Sequence, residues 1–559
     1  DPSTICRGDV AESLASAPLT MTGEFAFGGQ EHFYLETQAA WSEFTEDDAL
    51  LVHSSTQHPT EIQTLVARVL GWPRHRVAVR VPRMGGGFGG KETQGAGVAA
   101  LSALAALATG KPCRARWNRD QDFQITGKRH PFLARFQAGF DPDGRILALS
   151  VELFANGGWC LDLSQPICDR ALFHLDNSYF LPNVRFTGRV CRTNLTSQTA
   201  FRGFGGPQGM LVIEEIMDRV ARQVGQPPEE VRERNLYRGS GETNTTHYGQ
   251  EIGDNRIRRI WNELRDSSDF DDRKKAIAEF NSRNKFQRRG LAITPVKFGI
   301  SFTYTPYNQA GALVLVYADG SIQVNHGGTE MGQGLQTKIL GVAERELGVP
   351  ASRIRTMHTR TDKIPNTSAT AASSGSDLNG AAVADACRTI RDRLIPLAVE
   401  MLHAKGDTSA TSESLLFQSG KITGGGMHSL SFDELVAAAY LRRISLSATG
   451  YYRTPEIHYD RVAGRGKPFY YFSCGAAASE VEIDCLTGAL RVLRVDVLQD
   501  VGSSLNEGID RGQIEGGFVQ GMGWLTGEEL IWNKQGHLLS HGASTYQIPA
   551  IGDVPADFR

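Results

Sequence analysis

The sequence predicts an α+β fold, and three observations carry that expectation. Turn signals separate runs that alternate apolar and polar residues: Asp141-Pro142-Asp143-Gly144 between 136–140 and 146–154, Asp319-Gly320 between 313–317 and 322–324, and Leu486-Thr487-Gly488 between 481–485 and 490–497. Such hairpins belong to antiparallel sheet rather than to a doubly wound parallel one. Helical periodicity is found in separate segments, over about 59–70, 95–109 and 208–224. The third, in a chain of 559 residues that is long for one core, is a polar and charged stretch over 240–290 that divides the sequence into two parts.

Taken in order, residues 1–20 read as a helical turn and linker, and from Gly23 the pattern turns to strands over 28–36 and 50–57. His32 and Glu36 are four apart, a metal-ligand spacing on a helix. The intervening Phe33-Tyr34-Leu35 favours a strand instead, so a packed, hydrogen-bonded histidine is expected. Gln57 ends a strand, where a neutral amide can donate to an oxo group or a cofactor without adding charge. The helix at 208–224 places Ile213, Ile216, Val220 and Val224 on one face, stops at Gly225, and is followed by Pro227. Residues 403–428 are rich in Ser, Thr and Gly and read as a surface insertion.

Net charge is −3, from 59 basic and 62 acidic residues, and the basic clusters 256–259 and 273–275 are short and mixed with acids. That pattern does not suggest nucleic-acid binding. The longest apolar run, 97–108, would span about 18 Å as a helix, short of a bilayer. Eight scattered cysteines contain no C-x-x-C pair, which argues against a disulfide scaffold, a zinc ribbon or an iron–sulfur cluster held by these residues. The expectation is a soluble protein of the reducing cytoplasm. The opening at Asp1 without methionine and the close at Asp557-Phe558-Arg559 read as a portion of something longer.

The densest glycine cluster, Arg83 to Glu92, has five glycines among the six residues 85–90. Glycine at that density suits a turn that needs positive φ or close backbone approach, and its N–H groups can face an anionic guest. Gly85, Gly87 and Gly90 also fit G-x-G-x-x-G, which leaves a nicotinamide-binding domain as an alternative. Against it, Arg80 interrupts the preceding strand, and no acidic residue stands about 20 positions on, where the next carboxylates are Asp120 and Asp122. Four further small-residue loops are expected at 199–209, 326–334, 368–380 and 512–521. Five such loops, with the amides of Gln57, Gln333 and Gln513, fit a large hydrogen-bonding anion such as a pterin with a phosphate tail.

The motifs at 85–92, 199–209, 297–303 (Lys-Phe-Gly-Ile-Ser-Phe-Thr), 326–334 and 365–373 (Pro-Asn-Thr-Ser-Ala-Thr-Ala-Ala-Ser) resemble, in order, the molybdenum-binding portion of the xanthine oxidase family of molybdenum hydroxylases, most closely its xanthine dehydrogenases. The resemblance runs from about Gly28 to the end. It implies a molybdenum–molybdopterin cofactor clamped between two elongated domains. With the composition, it suggests a linker at 1–22, a first domain at 23–250, a charged linker at 251–288, and a second domain at 289–559 that continues past Arg559. It also implies [2Fe–2S] clusters and FAD on another segment or a partner subunit, in a dimer of heterodimers that passes electrons on to NAD.

Roles carry over only where residues match. Gln57 resembles the amide that hydrogen-bonds an oxygen ligand of molybdenum, with the backbone of Gly87, Phe88 and Gly89 beside it. Phe204 and Phe302 resemble the aromatic pair that sandwiches a flat heterocycle. Glu92 and Arg170 resemble the pair that orients substrate, Arg170 at a ring carbonyl and Glu92 at ring nitrogens, with Thr303 and Arg202 as further contacts. Ala371, Ala372 and Ser373 are expected against the cofactor, Ala372 also near the substrate, and Gln333 and Gln513 on the pterin. Gln57, Phe88, Arg202 and Ala372 would surround the metal, with no protein atom bound to it.

A fixed positive charge at Arg170 serves a ring carbonyl that becomes negative under attack and is of no use to an aldehyde, so the pair favours oxidation of hypoxanthine and xanthine to urate. An aldehyde oxidase of the same family and a catalytically inactive pterin-binding scaffold are the competing readings. The loop 200–204 lacks the cysteine that carbon monoxide dehydrogenases carry there. The family's catalytic base is a glutamate in a Gly-Glu-Pro-Pro motif, which does not occur in residues 1–559 and is expected beyond them.

Overall fold

The computed structural model describes residues 2–364 and 367–559. Asp1, and Pro365 and Asn366 of the motif quoted above, lie outside the described residues. The α+β expectation is met by four sheets of four or five strands packed under helices.

The first sheet orders Ser3–Arg7, Val184–Arg192, Ile146–Gly158, Phe132–Phe140 and Leu19–Phe27. Strict alternation along Phe132–Phe140 sends Phe132, Ala134, Phe136, Ala138 and Phe140 into one core. Helix Gly206–Val224 lays Ile213, Ile216 and Val220 into the same core and ends, as its pattern requires, on Gly225 at φ +68°. Helix Ser164–His174 lies beside it, and this packing brings Arg170 inside.

The second sheet orders Thr359–Arg360, Val77–Val81, Leu50–Ser54, Ala39–Phe44 and Cys113–Arg116, under helices Pro59–Leu70 and Ala96–Thr109. Only its pairing of Leu50–Ser54 with Val77–Val81 is parallel. A doubly wound parallel sheet is therefore not formed around the glycine cluster, and the nicotinamide-binding alternative loses its frame. The strand Thr359–Arg360 comes from the second part of the chain, so the two parts interlock at this edge.

In the second part, Gln287–Ile300, Tyr471–Asp484, Leu490–Gln499 and Asp557–Phe558 form one sheet, and Ile354–Thr356, Ile322–His326, Gln309–Val316 and Ser447–Arg453 another. The latter packs with helices Leu335–Leu347, Gly375–Ala404 and Phe432–Leu441 around a core of its own. The three expected hairpins form as antiparallel pairs. No helix among the described residues is long and apolar enough to cross a membrane.

Several local expectations are corrected. Residues 1–20 hold a strand, Ser3–Arg7, and a helix, Val10–Ser16, in place of a helical turn and linker. The charged segment inside 251–288 is largely helical: Ile257–Ser267 buries Ile257, Ile260, Trp261 and Leu264 and turns its charges outward. Residues 28–36 form no strand, because Phe33 takes φ +47° and the carbonyls of Tyr34 and Leu35 accept from the Arg119 guanidinium instead of a neighbouring strand. The insertion at 403–428 is mostly exposed but pins a small three-stranded sheet to the second core through Ile422 and Leu430. Residues 512–521, read as a loop, lie within helix Glu507–Thr526, started by the Asn506 side chain accepting from the Ile509 N–H. The loop expected over 368–380 likewise becomes helical from Gly375.

Candidate active site

The glycine cluster and the 368–380 segment meet at Gln57, and the other three expected segments are bonded on around them. That residue sits in the turn between strand Leu50–Ser54 and helix Pro59–Leu70. Its side-chain oxygen accepts from the backbone N–H of Gly89 at 2.9 Å and Lys91 at 3.3 Å, and its amide donates to the Thr370 carbonyl at 3.2 Å. Backbone bonds reinforce the junction, Gln57 to Lys91 at 2.8 Å and Thr370 to Gln57 at 2.9 Å. The Met84 N–H reaches the Glu330 carbonyl and the Arg202 N–H the Phe88 carbonyl, while the Arg202 guanidinium donates to the Gln513 carbonyl at 2.8 Å. The glycines are needed for this closeness: a Cβ on Gly87 would stand 2.7 Å from the Gln57 side-chain oxygen and 3.2 Å from the Met331 sulfur.

Backbone strain collects here. Among the described residues, 13 non-glycine residues have positive φ, and Phe88, Asp162, Phe204, Ala372 and Ser373 are five of them. Left-handed φ costs a bulky residue about 1–3 kcal/mol and persists where surrounding contacts impose it. Gly89 shares the condition at φ +97°, with the backbone of Ala200 2.8 Å from where a Cβ would lie. Gly89→Ala is therefore expected to lower stability by roughly 2–4 kcal/mol and to release bound molybdenum. Metal content and a melting curve check this, and an unchanged melt with full metal would contradict it.

Glu92 is 6 % exposed, and no hydrogen bond to its carboxyl is found among the described residues. Burial, with Asp162 and Glu61 adding to it, pushes the Glu92 carboxyl up to about 8. Arg170 is 2 % exposed and its guanidinium lies over the rings of Phe298 and Phe469. It donates to the carbonyls of Gly299 and, at 3.0 Å, Ser301, while its Nε has no partner among the described residues. Burial lowers it to about 10, so it remains a cation at neutral pH. Its neighbour His174 holds the same strand end by accepting from the Gly299 N–H at 3.1 Å. Arg170 thus fixes the segment that leads into Phe302 and Thr303 and keeps donors to spare.

Phe204, Phe302 and Thr303 are half-buried, and Phe88 and Ser373 are exposed. The Phe302 ring meets Tyr307 edge-on at 5.6 Å. Ala371 and Ala372 are half-buried in the loop that Gln57 holds. Gln333 is folded onto its own loop, accepting from the Met331 N–H at 2.7 Å and donating to the Thr329 carbonyl at 2.9 Å. Gln513 enters through its main-chain carbonyl, on Arg202. His32 is a packed residue as expected, bonded to the Ala200 carbonyl and lying on Phe201.

Sequence reasoning missed Asp162, Thr93, Tyr307, His58 and Glu61. The His58–Glu61 pair, 2.7 Å apart, directly follows Gln57 and could have been read as part of its turn. Tyr307 and Asp162 carried no local signal.

The arrangement fits a polar cofactor. The hydroxyls of Thr329 and Thr367 and both ring nitrogens of His326 are buried with no partner among the described residues, and they belong to the segments that converge on Gln57 and Thr370. Buried polar atoms left this way within protein call for a polar guest or water.

Comparison with known proteins agrees with that chemistry. The chain is 50 % identical over 554 residues to the xanthine dehydrogenase/oxidase of Felis catus, an alignment covering 99 % of this chain and 39 % of that protein. It spans about two fifths of the length of the curated relatives it matches. Its fold is similar to that of quinoline 2-oxidoreductase from Pseudomonas putida 86, with a TM-score of 0.87 and 27 % identity over 100 % of this chain and 71 % of that one. It is also similar to the aldehyde oxidoreductase of Desulfovibrio gigas, with a TM-score of 0.84 and 26 % identity over 100 % of this chain and 57 % of that one. The profiles of two families, each described as "Molybdopterin cofactor-binding domain", match residues 1–236 and 263–555. With its glycine loops gathered on Gln57 and unpartnered polar atoms beside them, the chain belongs to the molybdopterin cofactor-binding domain proteins.

Proposed function

We propose that the protein hydroxylates purines, taking hypoxanthine and xanthine to urate with oxygen from water. The observation that carries this is that Glu92, a buried carboxyl with no partner among the described residues, and Arg170, a buried guanidinium with a free Nε, occupy the two positions that resemble the substrate-orienting groups, in a chain half identical to a xanthine dehydrogenase/oxidase. The molybdenum–molybdopterin, when bound, supplies the two-electron redox chemistry. Gln57, the backbone of Gly87, Phe88 and Gly89, Arg202, Ala371, Ala372, Ser373, Gln333 and Gln513 hold it or surround its metal.

The chain's own share is orientation and charge. Phe204 and Phe302 stack on the flat ring, with Thr303 and Arg202 at its edge. Glu92, neutral below about pH 8, donates its O–H to a ring acceptor. The Arg170 cation stabilises negative charge that develops on a ring carbonyl, in a site where low local polarity makes the contact worth more than in water. Urate formation from xanthine and water releases two electrons and two protons. The electrons go to [2Fe–2S] and FAD centres on another segment or subunit, and from there to NAD. The unit is two cofactor-binding domains, matched over 1–236 and 263–555, within a cytoplasmic dimer of heterodimers or its fused equivalent.

Xanthine and an aromatic aldehyde, assayed in parallel on the purified native assembly with molybdenum determined on the same sample, test the reading. Urate with stoichiometric molybdenum is expected. Aldehyde turnover without urate would overturn the purine assignment.

A further inference from the structure

Asp162 has no role in the chemistry described so far, yet it joins the segments that carry Glu92, Arg170 and Phe204. Its carboxylate accepts from the Thr93 hydroxyl at 3.2 Å and from the Gln94 side-chain amide at 3.3 Å, the two residues that follow Glu92. Gln94 is itself tied down, its oxygen accepting from the Gly127 N–H at 3.0 Å. The Thr93 hydroxyl also lies 3.4 Å from that of Thr199, at the start of the loop that carries Arg202 and Phe204. Two residues beyond Asp162 begins helix Ser164–His174, which carries Arg170. Asp162 is half-buried and held at φ +39°, a left-handed conformation that its surroundings impose.

We propose that Asp162 is a positioning residue: its carboxylate braces the Glu92 turn, through Thr93 and Gln94, against the Arg170 helix and the Phe204 loop. This rests on the purine reading of Glu92 and Arg170. The brace acts in two ways. It fixes the distance between two groups that must grip one rigid ring, where a small displacement is costly. It also places a negative charge near Glu92 that favours the neutral carboxyl. The titratable groups facing Glu92 are Asp162, Glu61 with its partner His58, and Tyr307.

The test uses the full-length, molybdenum-loaded enzyme. Asp162→Asn keeps an acceptor for Thr93 and Gln94 but removes the charge, so its KM for xanthine stays near the parent value. The alkaline limb of its kcat/KM profile moves down by about one pH unit. Asp162→Ala removes the brace, and its KM for xanthine rises roughly tenfold or more at unchanged molybdenum content. A parent-like KM and pH profile in both variants, alongside loss of xanthine turnover in Glu92→Gln, would overturn the role of Asp162 while the substrate reading stands. Unchanged xanthine kinetics in Glu92→Gln itself would bring down the reading and this proposal together. If Asp162→Ala loses molybdenum, Asp162→Asn decides alone, and an unmoved alkaline limb overturns the proposal.

Discussion

At pH 9 the Glu92→Gln variant is expected to be more stable than the parent by roughly 3–5 kcal/mol, and at pH 5 by less than about 1 kcal/mol. The folded Glu92 carboxyl is raised to about 8, while its ordinary value is 4.5. Between those values the folded state holds a proton that the unfolded state has released, so raising the pH favours unfolding. The penalty is absent below pH 4.5, grows with pH through that window, and stops growing once both states are ionised above about 8. Glutamine has the same shape, no charge, and a similar burial cost, so it removes only the pH-dependent part. Melting temperatures of both proteins from pH 5 to 9 measure this. Curves that run parallel across the range would show that Glu92 is not held neutral, and with it would go the donating role assigned to that carboxyl.

Replacing Arg170 by methionine is expected to lower kcat/KM for xanthine by about 10²–10³, the usual consequence of losing a donor to a developing oxyanion. Aromatic-aldehyde turnover should fall far less, because an aldehyde offers no ring carbonyl to that cation. Methionine keeps an unbranched apolar side chain but loses the cation that lies over Phe298 and Phe469, and it cannot donate to the Gly299 and Ser301 carbonyls. Each carbonyl left unpaired inside the protein costs about 1–3 kcal/mol, so a lower melting temperature accompanies the kinetic change. Parallel assays normalised to molybdenum separate the effects. Equal loss of both activities would mean that Arg170 acts only as a strut for Phe302 and Thr303.

Much of the site could be read from residue types. Glycines at 85–90 announced a turn of close approach, and the structure puts it against Gln57 at distances no larger residue would allow. The helix at 206–224 and the three hairpins were written in periodicity and turn residues. Local pattern failed where partners are distant. The apolar Phe33-Tyr34-Leu35 resembles a strand, but Arg119 takes its carbonyls. Glycine-rich 512–521 resembles a loop, but an Asn506 cap and its place beside Arg202 make it helical.

What the sequence by itself determined is the kind of protein: the α+β class, the glycine loops, and the ordered motifs that resemble the cofactor family. Those properties reside in residue identity and short spacing. Only the tertiary structure decided which charges are buried and what they hold, such as an unpartnered Glu92, Arg170 bonded 131 positions away at Ser301, and Asp162 bracing Thr93 from 69 positions away. Desolvation and hydrogen bonding depend on whatever the fold brings within a few ångströms, and sequence distance carries no record of that.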